Sequence, residues 1–104
     1  MHFYYVYILK CSDGSYYTGI TNDLEKRTKE HTHGKYRDCY TYKRRPIEIK
    51  FYETFNNVLQ AIYFEKKIKG WTRAKKEALI SGDFNMLQIL AECRNATHYK
   101  YKGK

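Results

Sequence analysis

Glu65 is the residue whose setting most asks for chemistry. The stretch around it has a helical period, capped by Asn56 or Asn57, running through Lys69 and stopped by Gly70. With Val58 at zero and ~100° per residue, Val58, Leu59, Ala61, Ile62 and Ile68 fill one arc, and Glu65 falls at about −20°, inside it. A carboxylate in an apolar stripe costs several kcal/mol unless a positive group meets it. An ion pair to Lys69, one turn on, or to Arg27 is the commoner answer, and coordination of a metal ion is the functional one. Arg27 and His31 raise a similar question. Leu24, Arg27, Thr28 and His31 share one face of a helix that starts near Asn22 and stops at Gly34. Leu24 is its only large apolar residue, so the face points inward, and an inward Arg and His either find partners or line a cleft. Tyr7 and Tyr17 are phenols on two strands joined by a tight turn. In a chain with 12 tyrosines they also read as sheet-packing residues.

The turn decides whether the phenols meet. Phe3 to Cys11 and Tyr16 to Ile20 are rich in strand formers around Asp13-Gly14. A two-residue loop pairs Ser12 with Ser15 and sends Tyr7 and Tyr17 to opposite faces. A three-residue loop with a left-handed Gly14 pairs Cys11 with Ser15, sets Leu9 against Tyr17 and Tyr7 against Gly19, and leaves the phenols on one face. Local sequence does not choose between them.

The remaining elements follow from period and punctuation. Lys35 to Arg45 is a basic aromatic loop, and Pro46 opens a third strand with Ile47, Ile49 and Phe51 on one face. Thr72 caps a helix to Ile80 that turns Ala74, Ala78 and Leu79 inward. Phe84, Leu87 and Leu90, with Met86 and Ile89, predict a last amphipathic helix. From Arg94 apolar periodicity is lost, so residues 3–92 read as one domain and 93–104 as a basic, flexible tail. The order β-β-α-β-α-α-α is an α/β class with a small three-stranded sheet.

The chain's 104 residues suit a single domain, and its net charge of +9 attracts polyanions, nucleic acid first among them. The Lys and Arg runs at 43–45, 66–69 and 73–76 are either solvated faces or, if they converge, a phosphate track. Three cysteines without Cys-x-x-Cys spacing exclude a disulfide framework and a zinc ribbon. With no long apolar run, the chain reads as soluble and cytoplasmic, with no membrane partner.

Tyr5-Val6-Tyr7, a gap of nine residues, then Tyr17-Thr18-Gly19 resembles the paired signature of the GIY-YIG nuclease superfamily. Asp23 through Arg27 to His31 resembles its first helix, and Arg44-Arg45-Pro46 before a strand resembles its small single-domain bacterial branch. Ala61 to Glu65, Ile68-Lys69 and Thr72 to Lys76 resemble the segment that carries the family's Glu, so the likeness spans about residues 3–80. Tyr5-Val6 stands where the signature has Gly-Ile, Thr18 where it has Ile, and Asp38-Cys39-Tyr40-Thr41 where a family Lys is expected.

The resemblance implies a three-stranded antiparallel sheet flanked by helices and an endonuclease that hydrolyses DNA phosphodiesters with one Mg²⁺ (or Mn²⁺), in DNA repair or recombination. It implies Glu65 as metal ligand, Tyr7 as general base or its relay, and Tyr17 orienting water or phosphate. Arg27 would meet the scissile phosphate, and His31 would assist proton transfer or hold Tyr7. Lys35, Lys43, Arg44, Arg45, Lys69 and Arg73 are the candidate DNA contacts, with a protein partner supplying targeting. A tyrosine near pKa 10 becomes a useful base when cations lower that value, and Arg27, the metal and the +9 field are expected to act that way. The alternative is a nucleic-acid- or partner-binding module that keeps the fold without the reaction.

Overall fold

The computed structural model describes residues 3–83 and 85–102, with side chains as far as Arg94. Strands β1 (Tyr4–Lys10) and β2 (Tyr16–Thr21) form the hairpin. Its turn takes the three-residue form. Cys11 N–H donates to Ser15 O at 2.8 Å, Gly14 N–H donates to Cys11 O at 3.0 Å, and Gly14 has φ 85°, the left-handed conformation of a G1 bulge. Asp13 Oδ1 accepts from the Ser15 amide at 3.0 Å and the Ser15 hydroxyl at 2.6 Å, which fixes the loop. Leu9 therefore pairs with Tyr17 and Tyr7 with Gly19, and both phenols stand on one face.

Strand β3 (Glu48–Phe55) pairs antiparallel with the other edge of β1, giving the order β2-β1-β3. The sequence places Ile49 and Phe51 on one face, and the ladder separates them. Ile8 pairs with Phe51 and Leu9 with Ile49, so Lys50 is an extra residue in a bulge. One inserted residue reverses the alternation, putting Phe51 on the side of Ile8, against Phe64, and Ile49 on the side of Leu9 and Tyr7.

The two faces then serve different purposes. Val6, Ile8, Phe51 and Phe55 meet helices α2 (Val58–Lys69), α3 (Arg73–Ile80) and α4 (Met86–Lys102) in a core that includes Ala61, Phe64, Ile68, Leu79, Ile89 and Cys93. Each large side chain fully buried there stabilises the fold by about 1.5–3 kcal/mol. Tyr5, Tyr7, Ile49 and Tyr52 face helix α1 (Leu24–His33) instead. The result is the expected α/β architecture, a three-stranded antiparallel sheet flanked by helices. No helix among the described residues is long and apolar enough to cross a membrane.

Several local expectations are corrected. Asp23, not Asn22, caps α1, because its Oδ1 accepts from Lys26 N–H at 3.1 Å while the Thr21 hydroxyl accepts from its own amide. As the sequence anticipates, Asn57, one of its two candidates, caps α2 by accepting from the Leu59 and Gln60 amides, and Thr72 caps α3 through Lys75 N–H. In α2 the buried residues are Ala61, Phe64, Glu65 and Ile68, whereas Val58 and Leu59 in the first turn are exposed. Ala61 and Ile68 thus lie at the centre of the inward arc, with Phe64 at one flank and Glu65 at the other. In α3 it is Lys76, with Leu79, that turns in, and Ala74 is exposed. In α4 the inward stripe is Met86, Ile89, Leu90 and Cys93, and Leu87 is exposed. Phe84, placed on that stripe from sequence, lies outside the described residues. The helix extends to Lys102, and Cys93 is a core residue.

Candidate active site

Tyr7 lies at the middle of the central strand, where packing on both sides leaves it 1% exposed. Its phenol extends over β2 at Gly19. A Cβ on Gly19 would stand 2.5 Å from Tyr7 Oη and 3.1 Å from the Tyr17 ring, so the position needs a residue without one. Tyr7 Oη lies 3.0 Å from Nε2 of His31, which the last turn of α1 directs inward. The other ring nitrogen, Nδ1, lies 2.8 Å from the hydroxyl of Thr41, a residue 1% exposed. Cys39 Sγ completes this corner, accepting from the Thr41 hydroxyl at 3.5 Å.

The loop that supplies Cys39, Tyr40 and Thr41 is held by a clasp. Arg44 donates through Nε to Asp13 Oδ2 at 3.2 Å and through a terminal nitrogen to Tyr40 O at 2.8 Å, and its own carbonyl accepts from Ser12 N–H. Its guanidinium lies 3.9 Å from the centre of the Tyr40 ring. Tyr40 in turn stacks on Tyr17, with centroids 6.1 Å apart and 21° between planes. The hairpin turn, the loop and Tyr17 are thus one mechanical unit. The Tyr17 ring is 5.2 Å from His31 and 6.4 Å from Tyr7.

The electrostatics of this cluster differ from expectation. Burial, then the neighbouring Tyr17, push the Tyr7 phenol well above its ordinary pKa, and Arg27 offsets only part of this. Cations were expected to lower it, but desolvation of a buried phenolate is the larger effect. Tyr17 is also raised, by burial first, with Arg27 opposing and Glu65 adding to the rise. His31 is lowered by burial and by Arg27, with Glu30 acting the other way, so it is neutral near pH 7.

Arg27 stands at the mouth, half-buried, with Nε 3.7 Å from Glu30 Oε1. Lys35 meets the other oxygen of Glu30 at 3.4 Å. Glu65 arrives from the opposite layer, on α2, close enough to the edge strand β2 for Tyr17 to feel its charge. Its side chain is 12% exposed and lies 3.6 Å from Lys69 Nζ, the ion pair anticipated from the helical spacing. That contact is longer than a hydrogen bond and leaves the carboxylate with acceptor capacity. A single hard-oxygen ligand suits Mg²⁺ or Mn²⁺, which keep several waters. No three His, Cys, Asp or Glu side chains gather among the described residues, so the donor set is not that of a structural zinc site.

The structure therefore brings Tyr7, Tyr17, Arg27 and His31 together and places Glu65 beyond the β2 edge. It does not gather the six candidate DNA-binding cations into one track. Arg44 is held in the clasp, and Arg45 donates to Tyr42 O while lying over the Tyr42 ring. Arg73 pairs with Glu77, Lys69 with Glu65 and Lys35 with Glu30, while Lys43 is exposed on a single 3-10 turn. Sequence reasoning missed Thr41. The signal that could have found it is the second nitrogen of an inward histidine, which needs a partner. It also missed Lys76, buried near Lys69, whose ammonium pKa is pushed down by burial and by that neighbour.

A sheet with paired phenols on one face, an Arg and His on the covering helix, and a Glu on the helix behind defines a GIY-YIG type of site. The family model of the GIY-YIG catalytic domain matches residues 3–78, and the chain belongs to that family. Its relatives within it are UPF0213 proteins. It is 47% identical over 79 residues to a UPF0213 protein of Bacillus pumilus, covering 76% of this chain and 80% of that one. It is 48% identical to the UPF0213 protein YazA of Bacillus subtilis, covering 76% and 77% of the two chains. Two solution NMR structures are similar. The UPF0213 protein BH0048 of Bacillus halodurans has 42% identity and a TM-score of 0.51, covering 76% of this chain and 83% of its own. The protein EF2693 of E. faecalis has 34% identity and a TM-score of 0.56, covering 77% and 84%.

Proposed function

We propose that this protein is a metal-dependent endonuclease that hydrolyses DNA phosphodiester bonds. The observation that carries the reading is the buried pair of Tyr7 Oη and His31 Nε2 at 3.0 Å, beside Tyr17 and Arg27. In the reaction, water forms a bond to phosphorus, the opposite P–O bond breaks, and the leaving oxygen takes a proton from solvent. Tyr7 accepts the water's proton as it passes its own to His31, so no free phenolate has to persist in the buried site. Tyr17, rigid on its Tyr40 stack, orients the water or a phosphate oxygen. Arg27, once its loose contact with Glu30 opens, donates to the phosphate as negative charge grows. Glu65 would hold Mg²⁺ or Mn²⁺, which when bound supplies charge neutralisation at the phosphate.

The DNA partner is supported by the +9 charge and by the family match. Repair or recombination in the cytoplasm, with a protein partner for targeting, is the setting this reading proposes. Lys35 and Lys43 are its best-placed DNA contacts, the first because it shares Glu30 with Arg27, the second because it is exposed. A second reading, a binding module without catalysis, is favoured by the Lys69 ammonium beside Glu65, at the carboxylate the first reading gives to a metal.

Cleavage of supercoiled, nicked and branched DNA with Mg²⁺ or Mn²⁺ separates the two. Cleavage lost in Tyr7→Phe and Glu65→Ala, with fold and DNA binding kept, supports the nuclease. Binding without cleavage of any of these DNAs supports the module.

A further inference from the structure

We propose that Thr41 is a positioning residue that fixes His31 as the Nδ1–H tautomer, leaving Nε2 as the acceptor for the Tyr7 proton. The proposal rests on the nuclease reading for its consequence and on hydrogen-bond geometry for its substance. His31 presents both ring nitrogens to hydroxyls, Nε2 to Tyr7 at 3.0 Å and Nδ1 to Thr41 at 2.8 Å. A neutral imidazole has one N–H and one lone pair, so one hydroxyl must donate and the other accept.

Two observations decide which. The Tyr7 hydroxyl is buried, and His31 is its only hydrogen-bond partner among the described residues. If Nε2 carried the proton and donated to Tyr7, the phenolic O–H would have no acceptor among the described residues. Thr41 has an alternative outlet, because its hydroxyl donates to Cys39 Sγ at 3.5 Å while its lone pair faces Nδ1. The assignment that satisfies every proton runs Tyr7 O–H to Nε2, Nδ1–H to Thr41 Oγ1, and Thr41 O–H to Cys39 Sγ. The charged groups acting on the ring, Arg27 and Glu30, stand on its own helix; Tyr17 and Cys39 are the titratable groups facing it from the strand and the loop.

The consequence is mechanistic. When Tyr7 gives up its proton, the Tyr7 O–H bond breaks, a His31 Nε2–H bond forms, and the imidazolium keeps its Nδ1–H on Thr41. A hydroxyl thus performs the orienting task that a carboxylate performs for a triad histidine. Being uncharged, it leaves the resting imidazole neutral. The Arg44 clasp matters here because it holds the loop that carries Thr41 beneath the ring.

The test is ¹⁵N NMR of the histidine ring in the metal-free full chain, with Thr41→Val and Thr41→Ser beside the parent. In the parent, Nδ1 should appear as the protonated nitrogen and Nε2 as the unprotonated one. Thr41→Val should invert or average that pattern and lower kcat on the order of 10²-fold with KM little changed, and Thr41→Ser should restore both. An Nε2–H parent, or a Thr41→Val ring identical to the parent, overturns the proposal. The parent spectrum decides even if the Val variant does not fold. If the tautomers behave as stated and no DNA is cleaved, the nuclease reading fails while the Thr41 assignment stands.

Discussion

Replacing Gly19 by Ala tests whether the Tyr7 phenol is held as tightly as the structure shows. The added Cβ would lie 2.5 Å from Tyr7 Oη and 2.6 Å from Cζ. Comfortable contacts lie near 3.5–4.0 Å, so the ring must retreat by about 1 Å. Tyr7 has little room to do so, being 1% exposed and bonded to His31. Overpacking of this kind costs about 1–3 kcal/mol. Gly19 has no positive φ, so Ala fits the backbone and offsets about 0.4–1 kcal/mol through the unfolded chain. The net loss is then about 0–2.6 kcal/mol, at ~4–8 °C of Tm per kcal/mol for a domain of this size. The reaction should suffer far more, because a ~1 Å misplacement of a reacting group lowers rate on the order of 10²-fold. Thermal unfolding and single-turnover cleavage of the Gly19→Ala protein are the two measurements. A protein with unchanged Tm and unchanged rate would mean that the Tyr7 ring does not lie across Gly19, and the site geometry would have to be redrawn.

Further outcomes follow from other parts of the fold. Thr18 is buried and its Oγ1 has no hydrogen-bond partner, so Thr18→Val should raise stability by about 1 kcal/mol in urea titration; a loss instead would show that the hydroxyl is bonded in solution. His31 has its folded-state pKa below the ordinary 6.5. As pH falls through that value the unfolded chain binds the proton first, so stability falls, by at most about 1.4 kcal/mol per pH unit. His31→Asn should flatten that slope, and an unchanged slope would assign it to other groups. Arg44→Ala removes the bonds to Asp13 and Tyr40 O and should speed amide exchange in the 39–42 loop while leaving the core amides protected; unaltered loop exchange would show that the clasp does not hold it.

How much of this was readable in advance depends on whether the signal is local. The strands, the caps at Asn57 and Thr72 and the stop at Gly34 are written in residue types that only a few backbone states accommodate. The hairpin register was narrowed to two forms; the structure pairs Cys11 with Ser15, the form that unites Tyr7 and Tyr17, and the Ser12 amide donates to Arg44 O from the distant loop. The bulge at Lys50 left no mark, because alternation of Ile49 and Phe51 looks the same with or without an inserted residue. The inward Arg27 and His31 were legible from helical spacing, but Thr41 is ten residues from His31 in sequence and meets it through the fold of a loop without a clear period. Glu65 was legible as an anomaly, and Lys69 beside it was among the partners the spacing offered. The raised Tyr7 phenol was not foreseen, since sequence shows charge but not the burial that outweighs it.

The most direct test of the proposed nuclease is a paired measurement on the parent and Glu65→Gln proteins. Each is titrated with Mg²⁺ or Mn²⁺ while DNA cleavage and metal binding by calorimetry are followed together. The expected result is cleavage by the parent that saturates with metal and falls on the order of 10²-fold or more in Glu65→Gln, alongside weakened metal binding and retained DNA affinity. Cleavage by Glu65→Gln at the parental rate, or a parent that binds DNA yet cuts none of the supercoiled, nicked and branched forms, would contradict it.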